Sequence, residues 1–326
     1  MTAEETRSIL TIALMAAFAD GLKDEGERAA IKRIAEALGP EAGFDLPGLY
    51  REVLLAKPDL AKVAGSLQSQ ESRQLAYEMA VGVCDADGAQ GPAEKAFLAR
   101  LAELLALPAA AAGATSARAD EIAEAAFEPA DAPASAGAAA ATATVAGTVM
   151  GKSSLSDAET DTLILNAAVT NAALELLPET LASMAIIPLQ MRLVYRIGQA
   201  HGYAMDRSHA KDFLATLGVG LTSQYLEQFG RKLLGGVLGG LGGGLGRTVG
   251  RQAASSGLTF ASTYALGRVA QRYYAAGRTM DTATLKQTFA GLLDEARGLA
   301  PRYREQIEQK ASTIDTRSLA ALVRQS

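Results

Sequence analysis

The side chains with the most legible chemistry sit in two acidic turns placed 67 residues apart. Asp20-Gly21 aligns with Asp87-Gly88, and Glu27 aligns with Glu94. Behind each glutamate, Ile31, Ile34, Glu36 and Leu38 match Leu98, Leu101, Glu103 and Leu105, and ahead of it Ala13 matches Ala80. Each copy therefore reads helix, Asp-Gly turn, glutamate, helix. Glycine supplies the positive φ that a sharp inter-helix turn uses. A glutamate seven residues after the aspartate falls in the first turn of the next helix. Hard cations take carboxylate oxygens from flexible loops. Asp20, Asp24 and Glu27 thus form one candidate site for Ca²⁺ or Mg²⁺, and Asp85, Asp87 and Glu94 form a second. The twelve-residue EF-hand spacing is absent. The same acids would also cap orphan amides and oppose the positive end of a helix dipole. Spacing alone leaves both roles open.

A second chemistry belongs to apolar contact. The run 233–246 reads LLGGVLGGLGGGLG. Gly235, Gly239 and Gly243 recur every four residues, with Gly236, Gly240 and Gly244 beside them and Leu234, Leu238, Leu241 and Leu245 between. In lipid, small residues at this spacing let helix backbones approach closely, so this face is a candidate membrane and self-association surface. Arg231, Lys232, Arg247 and Arg251 bracket the run and are candidate contacts to anionic lipid. The uncharged runs 180–191, 213–226 and 233–246 all fall short of the roughly 20 residues that a spanning helix needs. Interfacial or re-entrant insertion fits better. Tyr195, Tyr203, Tyr225, Phe229, Tyr264, Tyr273 and Tyr274 are interleaved with the basic residues, as in interfacial segments. The competing reading is a buried, tightly packed hairpin in a water-soluble bundle.

Catalytic signals are weak. Gly147 to Ser153 resembles a phosphate-binding loop but lacks one residue between its glycines and follows an Ala-rich stretch rather than a strand, so no nucleotide is expected. His201 and His209 lack the acidic partner of a zinc helix. Cys84 beside Asp85 reads as a small core residue, since a neighbouring carboxylate disfavours a thiolate. Nothing here argues for an enzyme. Dispersed bases on an acidic chain also argue against nucleic acid.

The elements that must position these residues read as all-α. The chain has 326 residues, 49% of them hydrophobic, no Trp and few aromatics, and Ala and Leu dominate. Helical stripes cover 8–39 with a break at Asp20-Gly21, then 48–56, 58–68, 70–84 and 92–106, with Pro58 and Pro92 placed in first turns. These form a domain at 1–108, a bundle whose repeated halves would pack around a pseudo-twofold axis. Residues 109–153 are rich in Ala, Gly, Ser, Thr and Pro and read as a flexible linker, with Ala-rich pieces helical in part. Residues 154–326 form an apolar helical domain with helices at 155–177, 179–201, 206–229 and 252–277, a Gly-rich hairpin before the last of these, and a more polar helical region from 281 to 324. The three pieces carry net charges of −6, −3 and +4, within a total of −5. That asymmetry points to partners of different charge. A single cysteine and the absence of a signal-like N-terminus favour the cytoplasmic side.

ALMAAFADGLKDEGERAAIKRIAEALG followed by YEMAVGVCDADGAQGPAEKAFLARLAELLAL resembles a tellurite-resistance TerB family module. The resemblance covers about the first third and implies a two-halved helical bundle with acidic clusters for a divalent metal, associated with stress or membrane-linked complexes. In the second turn Gly91-Pro92 replaces Asp24-Glu25, which leaves that site with fewer acids. Across roughly 160–278, AIIPLQMRLVYRIGQAHGY, KDFLATLGVGLTSQYLEQFGRKLLGG and TYALGRVAQRYYAAG resemble a YcjF-like domain found in bacterial inner-membrane and GTPase-associated proteins. Its most specific pieces are Pro188-Leu189-Gln190 and Thr263 to Arg268. That resemblance implies membrane association and supplies no catalytic residues.

The expectation is a non-enzymatic protein on the cytoplasmic face of the cytoplasmic membrane, peripheral or re-entrant. It would be a homo-oligomer whose front module holds a cation or docks a protein partner, serving envelope stress or membrane shaping. The alternative is a soluble adaptor whose apolar half is buried in a multi-protein assembly. If the acidic turns hold metal, millimolar Ca²⁺ or Mg²⁺ raises the melting temperature of a 1–108 fragment. No shift and no titration heat would leave capping as their role.

Overall fold

The computed structural model describes residues 2–21, 32, 45–86, 90–128, 153–177, 180–217, 226 and 245–326, with the side chains of 46 and 245–254 outside that description. The described chain is all helical. Helix α1 spans Ala3–Ala17 and opens on a capping box: Thr2 Oγ1 accepts from the Glu5 amide at 3.1 Å, and Glu5 Oε2 accepts from the Thr2 amide at 2.9 Å. After α2 (Leu46–Ala56) and α3 (Leu60–Gly65), helix α4 runs Gln70–Cys84 behind the N-cap Ser69. Pro58 precedes the N-cap Asp59 of α3 and so stands outside the first turn expected for it. Pro92 does open helix α5, Pro92–Leu104.

The internal repeat is visible in these bounds. Shifting α1 by the repeat length lands it on α4, and the N-caps Thr2 and Ser69 also correspond. The two helices pack together through Ile9, Ile12, Ala13 and Ala16 on one side and Ala76, Met79, Ala80 and Val83 on the other. Small residues in both stripes let the backbones approach. At the start of this seam Ser72 Oγ donates to Glu5 Oε1 at 3.0 Å, which joins two equivalent positions of the repeat. The Thr2 amide first, and then this hydroxyl, hold the Glu5 carboxyl below its ordinary pKa.

Helix α6, Ala109–Ala125, occupies the front of the segment read as a linker. It has no polar side-chain cap and a weakly amphipathic sequence, yet it buries Ala112, Ala119, Ile122 and Ala125. Packing rather than intrinsic propensity holds it. Its neighbours come from both halves: α4 on one side, and on the other three helices of the apolar half, at 180–184, 186–200 and 319–325.

The apolar half is built on α7 (Asp157–Glu175), α8 (Thr180–Met184), α9 (Ile186–Ala200), α10 (Arg207–Thr216) and the long α11 (Leu245–Ala275). Helices α12 (Thr282–Leu299), α13 (Arg304–Thr313) and α14 (Leu319–Gln325), joined by 3₁₀ turns, wrap around them. Helix α7 starts at Ser156, whose hydroxyl accepts from the Glu159 amide. The expected helix at 179–201 divides at Ala185, with Ile186, Ile187 and Leu189 buried beyond it. Helix α11 begins earlier than expected from glycine content and carries Gly246, Gly250 and Gly257 inside it.

At the centre α11 lies against α7 and α9, with Ile164, Ala168, Leu193, Phe260, Ala265 and Val269 buried. Gly267 sets how closely they approach. A Cβ at that position would lie 2.8 Å and 2.9 Å from Ile164 side-chain carbons and 3.0 Å from Leu193. Gly291 on α12 faces open space instead. Gly267→Ala is therefore expected to destabilise the fold by about 1–3 kcal/mol through overpacking. Gly291→Ala should stabilise it by about 0.5–1 kcal/mol by restricting the unfolded chain. Urea denaturation of the two variants checks the opposite signs.

Candidate functional site

The acidic turns are only partly within the described residues. Asp20 follows α1 in a half-buried turn that Gly21 closes at φ +68°. Asp24, Glu27 and Asp87 lie outside the described residues. Asp85 follows α4 and is buried, as is Glu94 in the first turn of α5. Glu94 Oε2 accepts from the Gly91 amide at 2.7 Å. This glutamate thus does the capping work that its position suggested. Among the described residues no three metal-ligating side chains gather into one group. A cation at the second turn would need ligands beyond Asp85 and Glu94, with Asp87 the nearest in sequence.

The Gly-Leu face is likewise outside: Leu234, Gly235, Gly236, Leu238, Gly239, Gly240, Leu241, Gly243 and Gly244, with Arg231 and Lys232. Leu245, Arg247 and Arg251 are placed by their backbone in the first turns of α11. The run therefore leads directly into the longest helix of the fold. Among the described residues no helix is long and apolar enough to cross a membrane.

The described aromatic and basic residues expected at a lipid interface are engaged with one another. Phe213 packs against Tyr273 and Tyr274 with ring centres 5.2 Å and 5.9 Å apart, and Tyr203 lies 5.3 Å from Tyr274. Burial pushes the Tyr274 phenol above its ordinary pKa. The Arg278 guanidinium stacks over Tyr203 at 5.8 Å and that of Arg268 over Tyr264 at 5.1 Å. Arg268 also pairs with Asp161 on α7. These residues tie helices together. Their composition matched an interfacial belt because snorkelling at lipid and cation–π packing in a bundle draw on the same side chains.

The feature that sequence reasoning missed is Arg192, which is 1% exposed on α9. One terminal nitrogen of its guanidinium donates to the main-chain oxygens of Ala125, Ala126 and Glu128, at 3.3, 3.2 and 2.8 Å. The other donates to the main-chain oxygen of Arg324. These acceptors lie at the C-terminal ends of α6 and α14, where helix carbonyls lack partners and the dipole is negative. Arg324 in turn pairs with Glu128 through Nε and stands 3.7 Å from Glu121. One turn along α9, Arg196 donates to the main-chain oxygen of Ser326. Burial, followed by the neighbouring charge of Arg196, holds the Arg192 pKa below its ordinary value. The fork geometry of a guanidinium is what allows one side chain to serve two helix ends. No residue spacing could have revealed it, because the acceptors are backbone atoms more than 60 residues away.

A second buried polar contact joins the two segments that carry the back-half resemblance. Asn171 Nδ2 and Gln190 Nε2 each donate to Thr263 Oγ1 at 3.1 Å. The two amide oxygens lack partners in this arrangement. Turning over one amide would let it accept the Thr263 proton and complete a chain across α7, α9 and α11. This contact fixes helix register and offers no reactive group.

No family model matches the chain, and no curated protein or solved structure matches it either. Around Arg192 the geometry is that of a junction between helix ends. Arg192→Met is expected to cost about 2–4 kcal/mol, since several charge-assisted bonds are lost and buried carbonyls are left unsatisfied. Arg192→Lys should recover only part of that loss. Hydrogen exchange should show the added opening concentrated in α6 and α14.

Proposed function

We propose that the protein is a non-enzymatic, membrane-associated scaffold whose contact with lipid is confined to the Gly-Leu segment. One observation carries this reading. The described helices close their apolar faces on one another, so that Leu55, at 78% exposure, is the only exposed large apolar side chain among the described residues. The apolar run 233–246 is a further six large aliphatic residues set among glycines, bracketed by Arg231, Lys232, Arg247 and Arg251. Short apolar segments flanked by cations favour the boundary of an anionic bilayer over its full thickness.

In this reading the bundle is the cargo-bearing body and the run is its anchor, inserted shallowly and able to meet a second copy through its glycine face. The TerB-like front module would dock a protein partner or hold a divalent cation at Asp20, Asp24 and Glu27, the turn with more acids. The resemblance of 160–278 to YcjF-like domains supports the same placement at the inner face of a bacterial membrane. A soluble adaptor remains the second reading, favoured by the inward packing of Tyr203, Tyr273 and Tyr274.

Flotation with vesicles containing a quarter anionic lipid separates the two. The full chain should float, and deletion of 233–244 should return it to the soluble fraction. Replacing Arg231, Lys232, Arg247 and Arg251 by Gln should weaken binding by up to roughly a thousandfold, since each basic residue near the surface contributes about 1 kcal/mol. Equal recovery of the full chain and the deletion in the soluble fraction would overturn the membrane reading.

A further inference from the structure

We propose that α14 is a releasable strap, and that the groove it fills between α6 and α9 accepts an amphipathic helix of a protein partner. This site does not depend on the lipid contact assigned to the Gly-Leu segment. Helix α14 sets Leu319, Ala320 and Val323 into the groove, against Ile122 and Ala125 of α6 and Leu189 of α9. Leu319 and Val323 stand four residues apart, the spacing by which one helix face is read in a groove. The groove also carries a charge pattern. Arg192 meets the C-terminal end of the seated helix through the main-chain oxygen of Arg324. Glu121 on α6 and Glu128 just beyond it receive the Arg324 side chain. A short apolar helix that ends on a basic residue therefore matches the walls, the cation and the acids together.

The seat is exchangeable because little holds α14 in it. The helix has seven residues, too few to persist alone in water, so its order comes from tertiary contact. That contact rests on three buried side chains, one of them an alanine. The connector is equally slight. Ile314 is extended, and Thr316–Ser318 form a single 3₁₀ turn with Asp315, Arg317 and Ser318 exposed. Arg118 on α6 donates to the main-chain oxygen of Thr316 at 2.8 Å. This bond pins the connector, so that release moves α14 alone. The seated helix also burdens Arg192. Burial holds the guanidinium below its ordinary pKa, and its Nε is buried without an acceptor among the described residues. When α14 leaves, water reaches that charge and that donor, which offsets part of the lost packing.

Thiol labelling of the full chain measures release. In a Cys84→Ala background, Val323→Cys places a thiol in the seat and Val269→Cys places one in the central seam, both at fully buried positions. The thiol on α14 should react at least about a hundredfold faster than the one on α11, because local opening precedes global unfolding. Raised salt should speed it further by screening the Arg324 pairs. A fluorescent peptide of residues 315–326 then probes the vacated groove. Val323→Asp in the full chain unseats the strap, and this variant should bind one peptide saturably. The unaltered chain should bind it at least about tenfold more weakly, since its own α14 competes at a high effective concentration. A peptide carrying Leu319→Ser and Val323→Ser should not bind. Glu121→Gln with Glu128→Gln in the receiving chain should weaken binding severalfold. If Val323→Asp loses its helical circular dichroism, Arg324→Gln takes its place with the same readings. Equal labelling rates on α14 and α11 would overturn the strap, and a folded, unseated variant that takes up no peptide would overturn the acceptor groove. Dimerisation of the full chain that Val323→Asp abolishes would give the groove to a second copy and overturn a distinct partner.

Discussion

The architecture depends on a buried positive charge that is neutralised by backbone rather than by acid. Arg192 stands where α6, α9 and α14 converge, and its acceptors are carbonyls at two helix ends. An isolated guanidinium in a protein interior is costly. Here the field of two helix C-termini, each equivalent to about half a negative charge, stands in for a counter-ion. The arrangement explains how a helix as poorly amphipathic as α6 finds a fixed place. Its alanines contribute little burial each, and its end is held by charge. It also explains why the back half and α6, at the front of the linker region, pack as one unit, with Ile122, Ala125, Ala185, Leu189 and Val323 sharing a cluster.

Small residues set the remaining geometry. Ala13, Ala16, Ala76 and Ala80 bring α1 and α4 together, and Gly267 does the same for α11 against Ile164 and Leu193. With close-packed backbones, side chains need not be large to exclude water, which fits a chain with no Trp and few aromatics. The cost is that buried polar contacts must be local and specific. Glu5 with Ser72, and Thr263 with Asn171 and Gln190, each fasten one helix register at a seam otherwise made of methyl groups.

Much of this was legible where a terminus has its own chemistry. The expected span 70–84 coincides with α4, which Ser69 caps, and the expected span 155–177 lies close to α7, which Ser156 and Glu159 open by a reciprocal cap. The repeat matches α1 to α4, while the helix expected before Gly39, which would match α5, lies almost wholly outside the described residues. Legibility failed where tertiary contact overrides local preference. Glycine content placed the start of α11 near 252, yet the helix begins at Leu245 and runs through Gly246 and Gly250. The Ala-rich start of the linker region, expected to be helical in part, is a full helix α6 held by its packing neighbours and Arg192. Of the candidate sites, Glu94 was legible as a cap, while the Arg192 junction was not, since its acceptors are backbone oxygens far away in sequence.

The tyrosines and arginines of the back half show why composition alone overstates membrane contact. Tyr203, Tyr264, Tyr273 and Tyr274, with Arg268 and Arg278, have the makeup of an interfacial belt, yet each is engaged with another side chain of the bundle. What distinguishes a lipid-seeking segment is apolar surface in excess of what the core can absorb. Among the described residues of 155–217 and 255–326 no large apolar side chain is exposed. The Gly-Leu run has another standing. Its leucines alternate with residues that have no side chain to fill a core, and cations at both ends resist deep burial. In the proposed reading, a segment with that pattern suits a surface where hydrocarbon and negative charge lie side by side.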